Sequence, residues 1–414
     1  MPPSRKDMPA GATAKWLAIV GIGEDGLDGI GAAARQAIGE AEIVFGGARH
    51  LELAAPAIRG EACRWPVPFD TGMTDVIAAR GRNVCVLASG DPFCHGVGAT
   101  LARHVDPAEF RAYPAPSAFS LAAARLGWAL QETETISLHG RPVELIRPLL
   151  NDGARILALT SNGRSPAEIA RLLCESGFGG SRFYVLEALG GPAEAVTTLR
   201  ADALGDKTFA DLNVVAIEAS CGDGDRTIPL ASALPDDLFE HDGQITKREI
   251  RAVTLSSLAP RRGELLWDIG AGSGSIAISW MLAHPSMRAV AIEAEADRAA
   301  RIRGNASSLG VPGLRIVEGQ AAEALAGLPD PDAIFVGGGG SRNGVVETAM
   351  GRLRPGGRLV ANAVTLEMEA VLLDLYARNG GELSRIGVTR AAPVGGMSGW
   401  RPAMPVTQWT WSKP

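Results

Sequence analysis

Cysteine, histidine and aromatic residues are scarce in this chain of 414 residues, and each scarcity removes a class of function. The five cysteines (Cys63, Cys85, Cys94, Cys174, Cys221) are odd in number, widely spaced and without a Cys-x-x-Cys pair. They spell out neither a disulfide framework nor a thiolate zinc site, and read as reduced thiols of a cytoplasmic protein. Six histidines are scattered without ligand spacing, so no metal is expected. No Ser/His/Asp or Cys/His constellation stands out, which argues against covalent catalysis. The chain lacks a run of about 20 apolar residues that would cross a membrane. Its first segment, MPPSRKDMPAGATAKW, has basic residues but no apolar stretch behind them, and reads as a disordered leader rather than a secretory signal. A net charge of -6 with no long basic stripe disfavours nucleic acid and favours a small-molecule partner.

Glycine (51) and proline (26) are abundant, as in a loop-rich α/β enzyme, and the length exceeds a single core, so two or three domains are expected. Apolar runs at 16–22, 84–88, 155–159, 183–186 and 213–217 read as buried strands, each followed by a turn or an acid. Amphipathic stretches such as Pro166 to Glu175 lie between them, which predicts a largely parallel sheet covered on both faces. After Cys221-Gly222-Asp223-Gly224-Asp225 the pattern lapses. The expected organisation is a first module over 14–225, a linker over 226–243 and a second α/β module over 244–414. The second module opens with a helix over 247–258 and continues with strands at 264–269, 289–292, 314–317, 333–336 and 358–362. Its last run, Val406 to Trp411, alternates as an edge strand would.

Strand 264–269 ends in Asp268-Ile269-Gly270-Ala271-Gly272-Ser273-Gly274-Ser275, a glycine turn opening a helix, where backbone amides approach a ligand closely. Glu293 lies 19 residues beyond Gly274, at the end of the next strand, placed to accept hydrogen bonds from adenosine ribose hydroxyls. A nicotinamide dehydrogenase and an S-adenosylmethionine (SAM) methyltransferase share this geometry. The dinucleotide fingerprint needs a glycine at 275, which is Ser, and an acid such as Asp268 before the loop is typical of class I methyltransferases. SAM is the better reading.

In the first module, Gly21-Ile22-Gly23 and Ser89-Gly90-Asp91-Pro92-Phe93-Cys94-His95-Gly96 each follow a strand, and Ser117 caps a helix beginning in Ala115-Pro116-Ser117-Ala118. These three segments, in this order, resemble the tetrapyrrole methylase family. Ser137-Leu138-His139-Gly140-Arg141-Pro142 and Leu159-Thr160-Ser161-Asn162-Gly163-Arg164-Ser165-Pro166 resemble its precorrin C5-methylating branch. Gln244-Ile245-Thr246-Lys247-Arg248-Glu249-Ile250-Arg251, with the glycine strand after it, resembles the C15-methylating, decarboxylating class I methyltransferases. Cys94-His95 departs from the aromatic pair more usual there, and His95 reads as a packing residue.

The resemblance implies a tetrapyrrole methylase fold of two α/β subdomains followed by a Rossmann-like class I domain, with SAM bound at two sites. The first is expected to use Gly21, Gly23, Gly90, Asp91, Gly96 and Ser117. The second is expected to use Thr246, Asp268, Gly270, Gly272, Gly274, Glu293, Gln320 and Ala321. It implies methylation of a precorrin at two meso carbons with loss of an acetate carboxyl, in a homo-oligomer. An enamine-like carbon needs no strong base for attack, and no catalytic acid or base is assigned. Substrate carboxylates should meet cations, with Arg141 in the first module and Arg251, Arg342 and Arg401 in the second as candidates. Gly338, Gly339 and Thr365 are expected on the tetrapyrrole side. A two-site methyltransferase for another tetrapyrrole and a SAM-binding sensor without turnover remain open alternatives.

Overall fold

The computed structural model describes residues 15–222, 227–231, 233–340 and 344–414. It divides into two compact units, Met1–Arg141 with Asp152–Asp225, and Pro142–Asn151 with Arg226–Pro414.

The first unit contains a parallel sheet of β1 (Leu17–Ile22), β2 (Ile43–Gly46), β3 (Glu61–Arg64), β4 (Val84–Ser89) and β5 (Phe110–Tyr113), in the order β3-β2-β4-β1-β5. Alternate residues of its central strands enter separate cores. Ile19, Val84 and Val86 pack on one face, and Val20, Cys85 and Leu87 on the other. Strands buried on both faces must be apolar throughout, which explains why LAIVGI and VCVLAS read as continuous runs. Burial pushes the Cys85 thiol up to about 12, making it a packing residue and not a nucleophile.

A second sheet in this unit has the order β6-β7-β10-β8-β9, from β6 (Glu134–Ser137), β7 (Arg155–Leu159), β8 (Arg182–Glu187), β9 (Ala195–Arg200) and β10 (Asn213–Glu218). The expectation of a largely parallel sheet fails here. Only β6 and β7 run parallel, whereas β7–β10, β10–β8 and β8–β9 are antiparallel. The segment 188–194 between β8 and β9 is too short for the crossover that parallel neighbours require. The helix Ala118–Leu126 packs Phe119, Ala122 and Ala123 on this sheet, against Leu157, Leu186 and Val214.

The second unit is a seven-stranded sheet of order β13-β12-β11-β14-β15-β19-β16. Its parallel part is β11 (Leu265–Ile269), β12 (Arg288–Glu293), β13 (Arg315–Glu318), β14 (Ala333–Val336) and β15 (Arg358–Ala363). The edge is β16 (Glu382–Ile386), then comes a separate hairpin of β17 (Thr389–Val394) and β18 (Met397–Pro402), then β19 (Val406–Ser412). Contrary to its alternating pattern, β19 is not an edge strand, for it pairs antiparallel with both β15 and β16. The polar positions in its alternation meet buried partners instead of water. Gln408 donates to Asn362 Oδ1 (2.9 Å) and Thr254 Oγ1 (3.2 Å), while Trp409 fills the core on the other face. Ile228, Leu234 and Phe239, in the stretch expected to link the modules, are buried in the core of this unit.

Arg358, on the first residue of β15, ties the helix Arg248–Leu258 to the sheet. Its Nε donates to the Leu258 carbonyl (2.6 Å), and Nη1 and Nη2 form a bidentate pair with Glu264 (2.9 and 2.6 Å). Both side chains are largely buried. Arg358→Ala leaves the Glu264 carboxylate with only the Arg261 amide (2.9 Å) and takes the guanidinium donor from the Leu258 and Ala259 carbonyls, and should destabilise the second unit by about 3 kcal/mol, read as a lowered denaturant midpoint. Little change at that midpoint would show that water replaces the guanidinium.

Candidate functional site

A cleft of about 570 Å³ opens at the carboxyl ends of the parallel strands of the second unit. It lies where chain direction splits, with β12 and β13 to one side of β11 and β14 and β15 to the other, the usual place for a ligand in such sheets. At that split the backbones after β11 and β14 nearly touch. Gly270 has φ +71°, and a Cβ there would overlap the Gly338 carbonyl, so a side chain would force the two loops apart.

The loop that follows is held from the next strand. Glu293, at the end of β12 and 5% exposed, accepts from the Gly272 amide through Oε2 (2.8 Å) and from the Glu295 amide through Oε1 (3.1 Å). Its carboxylate lines the cleft with Gly270, Gly272, Thr246, Gln320 and Ala321, so these expected residues are brought together. Gly338 and Gly339 line it as well. Gly274 does not line the cleft; it ends the turn at the start of the helix Ser275–Leu282, against Ile302. Asp268 lies beneath the loop, where Oδ2 caps the same helix by accepting from the Ala277 amide (3.0 Å). Its other oxygen, Oδ1, is buried without a partner.

Two of the expected substrate contacts, Arg251 and Thr365, need correction. Arg251 is fully buried: its guanidinium donates to the Thr246 carbonyl (2.6 Å) and the Leu234 carbonyl, pairs with Asp236 (3.1 Å) and lies over the Phe239 ring. It is a structural cation, committed before any substrate arrives. Thr365 uses its hydroxyl to cap the helix Leu366–Asn379, accepting from the Met368 amide (3.3 Å), and lies outside the cleft lining, which Asn362 and Val364 supply instead. Arg141, in the first unit, is exposed and donates to the Ser137 carbonyl (3.2 Å). Arg342 lies outside the described residues. Sequence reasoning missed Lys247, Glu249 and Arg390, which line the cleft, and the apolar Val388 and Met404 beside them. Gly395-Gly396 between two short runs signalled the hairpin that carries Arg390.

In the first unit the three expected segments converge at the strand ends. The Gly90 amide donates to the Ile22 carbonyl (3.1 Å), and the Ala115 amide to the Gly90 carbonyl (3.2 Å). A Cβ on Gly21 would overlap the Gly90 oxygen, so this crossing of two loops admits only glycine. Gly23 accepts from the Gly26 amide (3.0 Å), Asp91 from the Phe93 amide (2.8 Å) and Ser117 from the Ser120 amide (3.1 Å). Gly96 packs against the Pro92 carbonyl at the start of the helix Val97–Leu101. His95 sits edge-on to Phe119 (6.0 Å) as a packing residue. A network not foreseen lies at the same strand ends. The Arg49 Nη2 donates to Ser89 Oγ (3.0 Å), His50 Nε2 is 2.8 Å from that hydroxyl, and Arg49 also pairs with Glu24. Burial, with the Arg49 charge, holds the His50 imidazole down at about 4, so it is neutral at pH 7.

Among the described residues there is no cluster of His, Cys, Asp or Glu that could hold a metal ion, and no helix long and apolar enough to cross a membrane.

Burial, reinforced by the Glu293 charge and opposed by the Ala277 amide, pushes the Asp268 carboxyl up to about 7. Between about pH 4 and 7 the folded state therefore keeps a proton that the unfolded chain has released. Stability falls as pH rises through that window, by up to about 1.4 kcal/mol per pH unit, and is level above it. Asp268→Asn should remove this slope. Urea unfolding should find variant and wild type alike near pH 4 and the variant more stable near pH 8; parallel curves would mean that Asp268 titrates normally.

Comparison with known proteins covers both units. Residues 17–205 match the tetrapyrrole (corrin/porphyrin) methylases, and residues 237–413 match the precorrin methyltransferase domain. The precorrin-6Y C(5,15)-methyltransferase [decarboxylating] of Sinorhizobium sp is 61% identical over 96% of this chain and 96% of its own. That of Mycobacterium tuberculosis (strain CDC 1551 / Oshkosh) is 41% identical over 96% of this chain and all of its own, 100%. The crystal structure of the C-terminal domain of the Rhodobacter capsulatus precorrin-6Y C5,15-methyltransferase is 49% identical, covering 45% of this chain and 100% of that one, with a TM-score of 0.43. With both units matched end to end in single relatives, the chain belongs to the family of decarboxylating precorrin-6Y C5,15-methyltransferases.

Proposed function

We propose that this chain methylates precorrin-6Y at C5 in its first unit and at C15 in its second, and removes the ring C acetate carboxyl as carbon dioxide to give precorrin-8X, in the aerobic route to cobalamin. Both methyl groups come from SAM, one bound at each unit, and the enzyme works in the cytoplasm as a homo-oligomer. The observation that carries this reading is the presence of a separate glycine-lined crossing of loops at the strand ends of each unit, in a chain 61% identical to one relative over 96% of its length.

The residues of the second cleft fit an adenosyl sulfonium. Gly270 and Gly272 open the backbone, a buried carboxylate stands at Glu293, and Asp268 Oδ1 is orphaned beneath the loop. Glu293 has both oxygens on backbone amides, so its lone pairs are fixed in direction for ribose hydroxyls, and Gln320 and Ala321 flank the adenine side. In the first unit Gly21, Gly90 and Asp91 would hold the ligand across the ends of β1 and β4. When bound, SAM supplies a methyl group on a cationic sulfur, open to in-line attack by a carbon nucleophile. The task left to the chain is alignment and exclusion of water. Val364, Val388 and Met404 make the second cleft apolar on its substrate side, which desolvates a carboxylate entering there. Departure of carbon dioxide leaves its electron pair in the conjugated macrocycle, so no protein nucleophile is required.

Glycine replacements separate the two activities in the full chain. Gly270→Val should abolish carbon dioxide release, while Gly21→Val should still yield a product with one added methyl and one carboxyl fewer, both read by mass spectrometry of the tetrapyrrole after anaerobic incubation with SAM. If either variant still adds both methyl groups, the division of labour is wrong. If the unaltered chain binds SAM and leaves precorrin-6Y unchanged, the substrate is wrong.

A further inference from the structure

The second cleft is apolar on its substrate side, yet a precorrin carries several acetates and propionates whose charges must be met at its mouth. Two of the cations near the cleft are already committed. Arg251 is buried in its own network, and Arg298 is held by Asp242 (2.9 Å). Arg390 and Lys247 remain on the lining, both exposed.

Arg390 lies on β17, directly opposite Arg401 on β18, so the two side chains share one face of the hairpin. Like charges directly opposite across a strand pair are destabilising, and a pair kept on an exposed hairpin invites an anion between them. Arg390 is now paired with Glu249, at the start of the helix Arg248–Leu258, from across the cleft. Glu249 also stands 3.6 Å from Arg248, so it keeps a cation if Arg390 turns away. The exposed Met404 and half-buried Val388 adjoin Arg390 on the lining, giving cations beside apolar surface, the pattern of a macrocycle with charged arms.

We propose that Arg390, aided by Arg401 and Lys247, is the carboxylate clamp of the second site, gripping acetates or propionates that the substrate retains, and that Glu249 occupies the Arg390 guanidinium until substrate displaces it. The inference rests on the precorrin reading given above. The clamp holds retained carboxylates and not the one that leaves, because a cation fixed on the leaving carboxylate would stabilise the ground state and slow its loss.

The test uses full-length Arg390→Ala, Arg390→Lys, Arg401→Ala and Glu249→Gln, with KM for precorrin-6Y and kcat for carbon dioxide release, and SAM affinity by calorimetry. The clamp requires Arg390→Ala to raise KM about tenfold or more, with kcat within a few-fold and SAM affinity unchanged. Arg390→Lys should recover part of the loss, and Arg401→Ala should raise KM less. Glu249→Gln should act oppositely and lower KM two- to threefold, roughly, by removing the competitor. If Arg390→Ala and Glu249→Gln move KM the same way, the pair is a strut between helix and hairpin and the proposal falls. It falls equally if Arg390→Ala leaves KM unaltered. Failure of the precorrin reading looks different, because the unaltered chain would then release no carbon dioxide while still binding SAM.

Discussion

The second site depends on one hydrogen bond, from the Gly272 amide to the Glu293 carboxylate. It joins the loop after β11 to the end of β12 and so sets the width of the cleft between them. A carboxylate 5% exposed is costly unless its lone pairs are used, and two backbone amides use them here. The same bond explains why the neighbouring positions are glycines. The loop must turn through left-handed conformations at Gly270, Gly272 and Gly274 to aim the amide at Glu293, and it must do so while nearly touching Gly338. Cleft lining and loop architecture are therefore one constraint, and Glu293 serves both.

The first unit reaches a comparable arrangement by different means. Its loops cross backbone on backbone, with Gly90 amide on Ile22 carbonyl and Ala115 amide on Gly90 carbonyl, and among the described residues no carboxylate holds the crossing. Side chains enter one layer further out, where Arg49 links Glu24 of the first turn to Ser89 of the second. The neutral His50 accepts at Nε2 from this network without adding a second positive charge beside Arg49. Each unit thus has its own crossing of loops at the strand ends.

What was legible in the sequence was what backbone geometry dictates. Glycine runs after apolar strands, the Ser117 cap and the acid at the end of β12 follow from local sterics and hydrogen bonding, and the structure has each as a turn, a cap and a strand end. The antiparallel half of the second sheet was not legible from strand runs alone, since loop length and not strand composition decides direction. Nor was the position of β19. A Val-Thr-Gln-Trp-Thr-Trp alternation describes a strand with one wet face equally well as a strand whose polar face meets Thr254 and Asn362 inside the protein. The polar partners come from residues more than 40 positions away, beyond any local pattern.

Arginine shows the limit most sharply. Arg251 pairs with an acid 15 positions away and Arg390 with one 141 positions away, and nothing in their immediate sequence tells which is buried. Arg251 falls on the inner face of its helix one turn after Lys247, where Leu234, Asp236 and Phe239 from the preceding segment close over it. Arg390 falls on a two-stranded hairpin with little behind it and stays exposed. A buried guanidinium whose Nη1 and Nη2 are held by fixed carbonyls and a carboxylate is out of reach of a substrate anion, because binding one would mean breaking bonds of the same strength. One that faces a like charge and shares its carboxylate with Arg248 gains from any anion that arrives. The substrate-facing cation is thus identified by its exposure and by a partner carboxylate that has a second cation to turn to, properties that only the folded chain possesses.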